Sequence, residues 1–299
     1  MFPSCKCFGN TKCLFPVPCD SFCCTSFVPL LISLIFDFYL SNLDSIVSDL
    51  SVAIVVSKGQ LDFLKFFFAN EDFNSYLDDI DFVFLLKNRV VFVVQESPLG
   101  FGDAICCAEE FVADDPYFVV MIGDFFYHKE NDCDGKKRSS CCGDLIFAFK
   151  SLLTQPSQFL SVTTCGIDDL DNYGIVTKFE TNEKFIQALD IEEKPGKNNK
   201  CGIQKVSSYM DGSEEFLTFF GIEIFSVEIF KYLKELKNKN ILRQGEINLR
   251  IAQQEMIKKS KNHSLCFLMP KSSKNFDCGT AEKYRESIKT RLSIIKEKT

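Results

Sequence analysis

Two aspartates lie beside glycine turns, where a carboxylate could hold a divalent cation. Asp124 follows YFVVMIG, an apolar run that is typical of a buried strand. Asp277 lies in NFDCGT, directly before a second glycine turn. A carboxylate at the C-terminal tip of a parallel strand is well placed to hold Mg²⁺ on a phosphate. A capping or turn role is the alternative for each aspartate, and the residues alone leave both interpretations open.

Residues 95–104, QESPLGFGDA, combine a side-chain amide with two glycines directly after the apolar run VVFVV. Gln95 offers both a donor and an acceptor, which suits the edge of a base. Gly100 and Gly102 allow a backbone to approach a ligand closely, because no Cβ stands in the way. A plain turn between a strand and a helix is the alternative for this segment.

Residues 191–195, IEEKP, place Glu193 beside Lys194 ahead of a proline. A carboxylate and an ammonium fixed in this way can bind a sugar hydroxyl and a phosphate together. Pairs of this kind are also common on solvated surfaces, so that alternative stays open.

Charge and composition exclude several classes of protein. The 299 residues include 34 Lys and Arg against 41 Asp and Glu, a net charge of −7. A general nucleic-acid binder would carry a basic face, so no nucleic acid is expected as a partner. With only two histidines, the chain cannot build a multi-histidine metal centre. Its 15 cysteines are an odd number and are interpreted as free thiols in a reducing cytoplasm.

The most apolar stretch, residues 28–40, is predicted to be a buried helix. It is shorter than the roughly 20 residues that a membrane span needs, and Asp37 interrupts it. The N-terminus has neither a clean basic region nor a clean cleavage site, so no secretion signal is assigned. We therefore expect no membrane association and a cytoplasmic location.

The elements that must position these residues alternate between strand and helix. Short β-branched runs at 52–56, 90–94 and 117–122 predict strands, and helical spacing is found at 60–68 and 103–112. This alternation predicts an α/β fold with a Rossmann-like, mostly parallel sheet flanked by helices. No linker divides the chain, so residues 1–299 are predicted to form one domain. Further strands are predicted at 160–164, 174–180 and 216–225, further helices at 144–153, 226–237, 245–259 and 280–295, and a loop at 128–143.

The order of these stretches resembles that of the bacterial-type UTP–glucose-1-phosphate uridylyltransferases (UDP-glucose pyrophosphorylases), in the sugar-nucleotidyltransferase superfamily. The likeness covers about residues 50–290. The family patterns P-L-G-L-G-H-A, Y-G-V-V, V-E-K-P, G-E-I-Q-L and D-C-G are matched by PLGFGDA at 98–104, YGIV at 173–176, EEKP at 192–195, GEINL at 245–249 and DCGT at 277–280.

The resemblance implies a nucleotide-diphospho-sugar transferase fold and transfer of a uridylyl group from UTP to glucose 1-phosphate, giving UDP-glucose and pyrophosphate. It also implies Mg²⁺ as the cofactor and a homo-oligomer, since the family often forms dimers or tetramers. The residues given a role are Gln95 and the Gly100 backbone for uracil, Gly174 and Glu193 for glucose, Lys194 for the sugar phosphate, and Asp124 and Asp277 for Mg²⁺.

The N-terminus departs from the family, which opens with G-x-G-T-R and then P-K-E-M-L-P. We interpret residues 1–27 as a divergent loop, with Lys12 as the candidate catalytic cation for the β- and γ-phosphates. No Lys or Arg lies between Lys12 and Lys58, so the lysine of the family stretch P-K-E-M-L-P has no counterpart in this chain. This departure favours one alternative, a weak or inactive relative that binds the nucleotide sugar or regulates an active subunit. The others are a dTTP-dependent thymidylyltransferase and a generic α/β domain with chance matches.

Overall fold

The computed structural model describes residues 12–16, 51–62, 90–129, 140–182, 185–207, 214–260 and 264–296. The segment 28–40 and most of the predicted helix 60–68 lie outside these residues, although 58–62 are helical. None of the helices in the described ranges has the length and apolar character needed to cross a membrane.

The described residues form both strands and helices, and five strands follow one another between residues 158 and 226 without an α-helix. The strands are β1 (Lys12–Pro16), β2 (Ser51–Val56), β3 (Val90–Val94), β4 (Tyr117–Met121), β5 (Phe125–Lys129), β6 (Gln158–Cys165), β7 (Gly174–Thr181), β8 (Ile186–Glu193), β9 (Val206–Ser207), β10 (Glu214–Ser226), β11 (Ser264–Leu268) and β12 (Ser273–Asp277). The helices are α1 (Phe101–Cys107), α2 (Glu109–Val112), α3 (Cys141–Lys150), α4 (Ile229–Asn238), α5 (Leu249–Lys259) and α6 (Ala281–Lys296), with 3₁₀ turns at Ile167–Asp171 and Lys197–Gly202.

The large sheet is mixed, with the strand order β3-β2-β1-β4-β10-β6-β11-β8-β7. Neighbours from β3 to β4 are parallel. From β10 onward the pairs are antiparallel, except for β11 beside β6. The predicted α/β fold is therefore confirmed, and the parallel pairing that was expected of most of the sheet is concentrated in its β1–β4 half.

Strand β2 shows why this half of the sheet forms. Its β-branched residues are buried on both faces, and alternate side chains enter two different core clusters. Ile54 lies in one cluster with Phe149 of α3. Val55 lies in the other with Ile105 of α1 and Leu233 of α4. Helices thus cover both faces of the parallel half, as the continuous apolar run VAIVV predicts.

A β-bulge in the long strand β10 connects the two halves of the sheet. Its register shifts between Phe219 and Glu223, and Gly221 lies there with φ +99°. The Gly221 carbonyl accepts hydrogen bonds from the Ile122 amide (3.1 Å) and the Tyr127 hydroxyl (2.7 Å). Residues before the bulge pair with β6 and β7, and those after it pair with β4 and β6. The bulge therefore fixes the turn that follows β4.

Several predicted boundaries are corrected. Lys12–Pro16 forms strand β1 at the centre of the parallel half, inside the segment interpreted as a loop, because β2 and β4 pair with it on either side. Ser226 ends β10 and does not cap α4. Helix α5 begins after Asn248, whose side chain accepts the Arg250 amide, and so begins later than predicted. Strand β5 replaces the start of the predicted loop 128–143.

We expect Gly221→Ala to destabilise the fold by about 2–4 kcal/mol. An added Cβ would lie 2.7 Å from the Tyr127 hydroxyl, on a backbone with φ +99°. Urea denaturation measures the change in the free energy of unfolding. Gly245→Ala is the matched control, since Gly245 has φ +84° and no atom within 4 Å of its added Cβ. Equal losses in the two variants would contradict a role for the contact with Tyr127.

Candidate functional site

The carboxylates of Asp124 and Asp277 are brought together by a two-stranded antiparallel ribbon. Asp124 directly precedes β5, and Asp277 is the last residue of β12. The ribbon register pairs Asp277 with Phe125, and the Cys278 amide donates to the Asp124 carbonyl at 2.7 Å. The ribbon therefore joins residues from distant parts of the chain, as the metal interpretation of these aspartates requires.

The two carboxylates are in different electrostatic states. The Oδ1 atom of Asp124 is buried and has no hydrogen-bond partner among the described residues. Burial, together with the charge of Asp277, raises the pKa of Asp124 to about 6. Asp277 accepts the Gly279 amide on Oδ1 (2.9 Å) and the Lys283 ammonium on Oδ2 (2.5 Å). One carboxylate is satisfied, and its neighbour is left with a buried, unpaired oxygen.

The arrangement fits a divalent cation. An added Cβ on Gly279 would lie 3.0 Å from Asp124 Oδ2 and 3.2 Å from Asp277 Oδ1, so both carboxylates border the same small space. Mg²⁺ prefers such hard oxygen ligands, and it commonly takes one or two carboxylates while phosphates and water complete its shell. Within the described ranges, no larger cluster of metal-ligating side chains is found.

The loop after β3, the outermost strand of the parallel half, contains two glycines whose presence is explained by packing. An added Cβ on Gly100, which has φ +89°, would lie 2.5 Å from the Glu246 Cβ. An added Cβ on Gly102 would lie 2.6 Å from the Ile247 carbonyl. Backbone hydrogen bonds from Ile247 to Leu99 (2.7 Å) and from Gly102 to Ile247 (3.0 Å) close this contact. Both glycines thus permit a close approach of the chain segment GEIN, where the sequence predicted the approach of a ligand.

Gln95 directly follows β3 and is only 6% exposed. Its Nε2 donates to the Gly100 carbonyl (3.1 Å) and to Asp103 Oδ2 (2.9 Å). Asp103 is 3% exposed, and its Oδ1 pairs with the Lys237 ammonium at 2.7 Å. Because the two partners of the amide can only accept, the orientation of the Gln95 side chain is determined.

The segment predicted to contact a sugar is built around Gly174. Gly174 opens β7 and pairs with Glu193, the last residue of β8. An added Cβ on Gly174 would lie 2.9 Å from Glu193 Oε2, 3.0 Å from the Phe219 ring and 3.2 Å from Arg250 Nε. The glycine therefore lets a carboxylate, an aromatic ring and a guanidinium approach its Cα more closely than a side chain would allow.

Arg250 is held firmly beside Gly174. Its Nη1 donates to Glu223 Oε1 and to the Gln253 side chain, each at 2.6 Å, and its guanidinium carbon lies 3.5 Å from the centre of the Phe219 ring. Glu223 is 3% exposed, so the guanidinium compensates a buried charge. Phe219 and Glu223 flank the bulge in β10, which brings both of them to the same guanidinium.

Lys194 has φ +46°, which is uncommon for a residue with a side chain. Its amide donates to the Tyr173 carbonyl at 3.2 Å, and its side chain is exposed, with no carboxylate partner in the described part of the chain. Burial and, after it, the charge of Asp277 raise the pKa of Tyr173. Tyr173 directly precedes Gly174, and its carbonyl accepts the Lys194 amide, so it belongs to the same segment as Gly174, Glu193 and Lys194.

The structure does not bring Lys12 to this site. Lys12 pairs with Ser51 at the start of β2, whereas Gln95 and Asp124 follow the ends of β3 and β4. A five-residue strand spans roughly 13 Å, so Lys12 lies at the amino-terminal ends of the parallel strands, opposite to the ends that Gln95 and Asp124 follow. Residues 17–50 lie outside the described residues.

Sequence reasoning missed several residues that line the site. Lys283 lies in a predicted helix six residues after Asp277, and no role is predicted for it from the sequence. Asp103 stands where the family pattern P-L-G-L-G-H-A has a histidine, and no role is predicted for it either. Arg250 and Glu223 had no sequence signal, because their meeting depends on the bulge in β10.

The mixed sheet is similar to the fold of solved UDP-glucose pyrophosphorylase structures. A crystal structure of that enzyme complexed with UDP-glucose matches with a TM-score of 0.67 and 18% identity, covering 95% of this chain and 99% of the other. An apo structure matches with a TM-score of 0.68 and 16% identity, covering 95% and 98% of the two chains.

Sequence comparison confirms the resemblance to UTP–glucose-1-phosphate uridylyltransferases. The enzyme of Bacillus subtilis (strain 168) is 26% identical over 165 residues, that of Komagataeibacter xylinus 23% over 177, and that of Pseudomonas aeruginosa 24% over 189. These matches cover 55%, 59% and 63% of this chain and 47%, 51% and 57% of the relatives. The chain thus spans about half the length of the curated relatives that it matches. No family model matches the chain.

We expect Asp124→Asn to raise the melting temperature by about 2–4 °C in the presence of EDTA, because it removes an unpaired buried charge. Asp277→Asn is expected to lower the melting temperature, because it removes the charged partner of Lys283. Differential scanning calorimetry at neutral pH compares both variants with the unmodified protein. A lower melting temperature for Asp124→Asn would contradict this account of the carboxylate pair.

Proposed function

We propose that this protein transfers a uridylyl group from UTP to glucose 1-phosphate, giving UDP-glucose and pyrophosphate. The observation that carries the proposal is the carboxylate pair of Asp124 and Asp277, which border one small space and include a buried Asp124 Oδ1 with no hydrogen-bond partner among the described residues. Similarity to three relatives with this name supports it.

The β1–β4 half is proposed as a Rossmann-like nucleotide-binding half. Gln95 and the Gly100 backbone would read uracil at the end of β3, and the aspartates would face the phosphates. In the order β3-β2-β1-β4, the carboxyl ends of β3 and β4 are three strand spacings apart, roughly 14 Å. This separation leaves room for the ribose and the phosphates between the base and the carboxylates.

In the other half, Gly174 and Glu193 would contact the glucose, and Lys194 would bind its phosphate. Gly174 brings the Glu193 carboxylate close to the backbone at the start of β7, and this carboxylate can accept hydrogen bonds from sugar hydroxyls. The exposed ammonium of Lys194, without a carboxylate partner in the described residues, is available to an anion. Its unusual backbone conformation fits a residue held in place for function.

Asp124 and Asp277 are the residues proposed to hold Mg²⁺. When bound, Mg²⁺ would supply charge neutralisation for the phosphates. Lys283 already shares Asp277 Oδ2, so it would add a second positive charge beside the reacting groups. The buried Oδ1 of Asp124 is the ligand atom that needs no other bond to be broken.

The reaction needs no strong base. The phosphate of glucose 1-phosphate is ionised near neutral pH, and one of its oxygens would attack the α-phosphorus of UTP in line. A new phosphorus–oxygen bond forms while the bond to pyrophosphate breaks. The chain's contribution is then positioning and electrostatic stabilisation, by Lys194 on the sugar phosphate and by the carboxylate centre.

We expect purified protein to release pyrophosphate from UTP, glucose 1-phosphate and Mg²⁺, and Asp277→Asn to lower kcat/KM by about 10²-fold or more. Asp144→Asn is the matched control, because Asp144 also pairs with a lysine, Lys129, at 2.6 Å but lies away from the carboxylate pair. Coupled pyrophosphate detection measures turnover. Equal activity of the two variants would contradict the metal assignment.

Lys194→Met is expected to raise the KM for glucose 1-phosphate by about tenfold or more and to leave the KM for UTP nearly unchanged, because it removes a charged contact to one substrate only. Steady-state kinetics with each substrate varied in turn tests this. Equal increases in both KM values would refute the assignment of Lys194 to the sugar phosphate.

The alternative is a protein that binds UDP-glucose without turnover. This alternative is favoured because no residue between Lys12 and Lys58 corresponds to the lysine of the family stretch P-K-E-M-L-P. A melting temperature that UDP-glucose raises, with no pyrophosphate released, would establish this alternative. The homo-oligomer and the cytoplasmic location stay predictions from the sequence.

A further inference from the structure

We propose that Asp103 is a positioning residue that sets base selectivity by fixing the orientation of the Gln95 amide. This inference rests on the proposed function, in which Gln95 faces a uracil. Asp103 stands where the family pattern has a histidine, so this device belongs to this chain's own sequence.

The argument begins with the hydrogens of the Gln95 amide. Both hydrogens on Nε2 are used, one on the Gly100 carbonyl at 3.1 Å and one on Asp103 Oδ2 at 2.9 Å. A carbonyl and a carboxylate accept hydrogen bonds and cannot donate them. Turning the amide by 180° would bring the Gln95 Oε1 atom against both acceptors. Oε1 is therefore the only group of this amide left to face a ligand.

Lys237 pairs with the oxygen of Asp103 that the Gln95 amide does not use. The Lys237 ammonium lies 2.7 Å from Asp103 Oδ1, from the last turn of α4. Asp103 itself is 3% exposed, so a solvent molecule does not readily take the place of Gln95. Asp103 Oδ2 accepts from Gln95 with or without Lys237, because a carboxylate offers only acceptors.

The consequence concerns the base. An acceptor such as Oε1 binds a base that carries a hydrogen at the facing atom, as uracil does at N3. Cytosine has a lone pair at N3, and this lone pair would oppose Oε1. The fixed amide therefore favours uridine nucleotides over cytidine nucleotides, without any contact between Asp103 and the base.

The test is Asp103→Asn, with the dissociation constants of UDP-glucose and CDP-glucose measured by calorimetry. An asparagine both donates and accepts, so it tolerates either orientation of Gln95. We expect the preference for UDP-glucose to fall by about tenfold, the value of a lost charged hydrogen bond. The Gly100 carbonyl still opposes the turned amide, so some preference remains.

Two controls separate positioning from general stability. Lys237→Met breaks the same ion pair but leaves an acceptor at position 103, so the preference should be retained. Glu109→Gln removes the neighbouring ion pair with Lys234 of α4 (2.6 Å), which joins α2 to α4 and is not a partner of the Gln95 amide. If Asp103→Asn fails to fold, Asp103→Ser takes its place, because a hydroxyl also donates and accepts.

An unchanged preference in the folded Asp103 variant would overturn the inference and leave the proposed function intact. An equal loss of preference in Lys237→Met would also overturn it, since the ion pair and not the orientation would then matter. If the unmodified protein bound neither nucleotide sugar, the proposed function itself would fail, and this inference with it.

Discussion

The bulge at Gly221 is the constraint on which the arrangement of the site depends. A single carbonyl there accepts both the amide that follows β4 and the hydroxyl of Tyr127 in β5, and the neighbouring Phe220 carbonyl accepts the Asn275 side chain of β12 at 2.9 Å. These bonds fix the turn of Asp124 against the ribbon that delivers Asp277. Only a glycine combines the positive φ with the space that the Tyr127 hydroxyl needs.

The site keeps charges that a purely structural core would exclude. Asp124 retains a buried oxygen without a hydrogen-bond partner in the described residues, and Glu223 is a buried carboxylate compensated by Arg250. Unpaired buried charge lowers the stability of the fold, so a protein keeps it where a ligand compensates it. The unsatisfied Asp124 beside the paired Asp277 is therefore the feature that supports the proposed cation site.

Two of the sequence patterns that suggested the family prove to be one structural unit. The loop PLGFG and the segment GEIN pack against each other, and each glycine removes a Cβ that would collide with Glu246 or Ile247. This contact holds the end of β3 and leaves Gln95 to be oriented by Asp103 and Gly100. The sequence does not predict that these two segments pack together, because contacts between distant segments leave no local periodicity.

The sequence by itself determined the β-branched strands β2, β3 and β4, the α/β class and the candidates Gln95, Asp124, Glu193, Lys194 and Asp277, because apolar β-branched runs and chemical type are local properties. The burial of β3 on both faces that its sequence predicts is not found in the described residues, where Val91 is 48% exposed and β3 ends the strand order. The sequence did not determine strand β1, the ribbon of β5 and β12, or the partners Arg250 and Lys283. Those depend on register between distant strands, on a bulge and on which charges meet in space. Only the tertiary structure decides such pairings, and it also placed Lys12 away from the site, because the direction of a strand in the sheet decides which end faces the ligand.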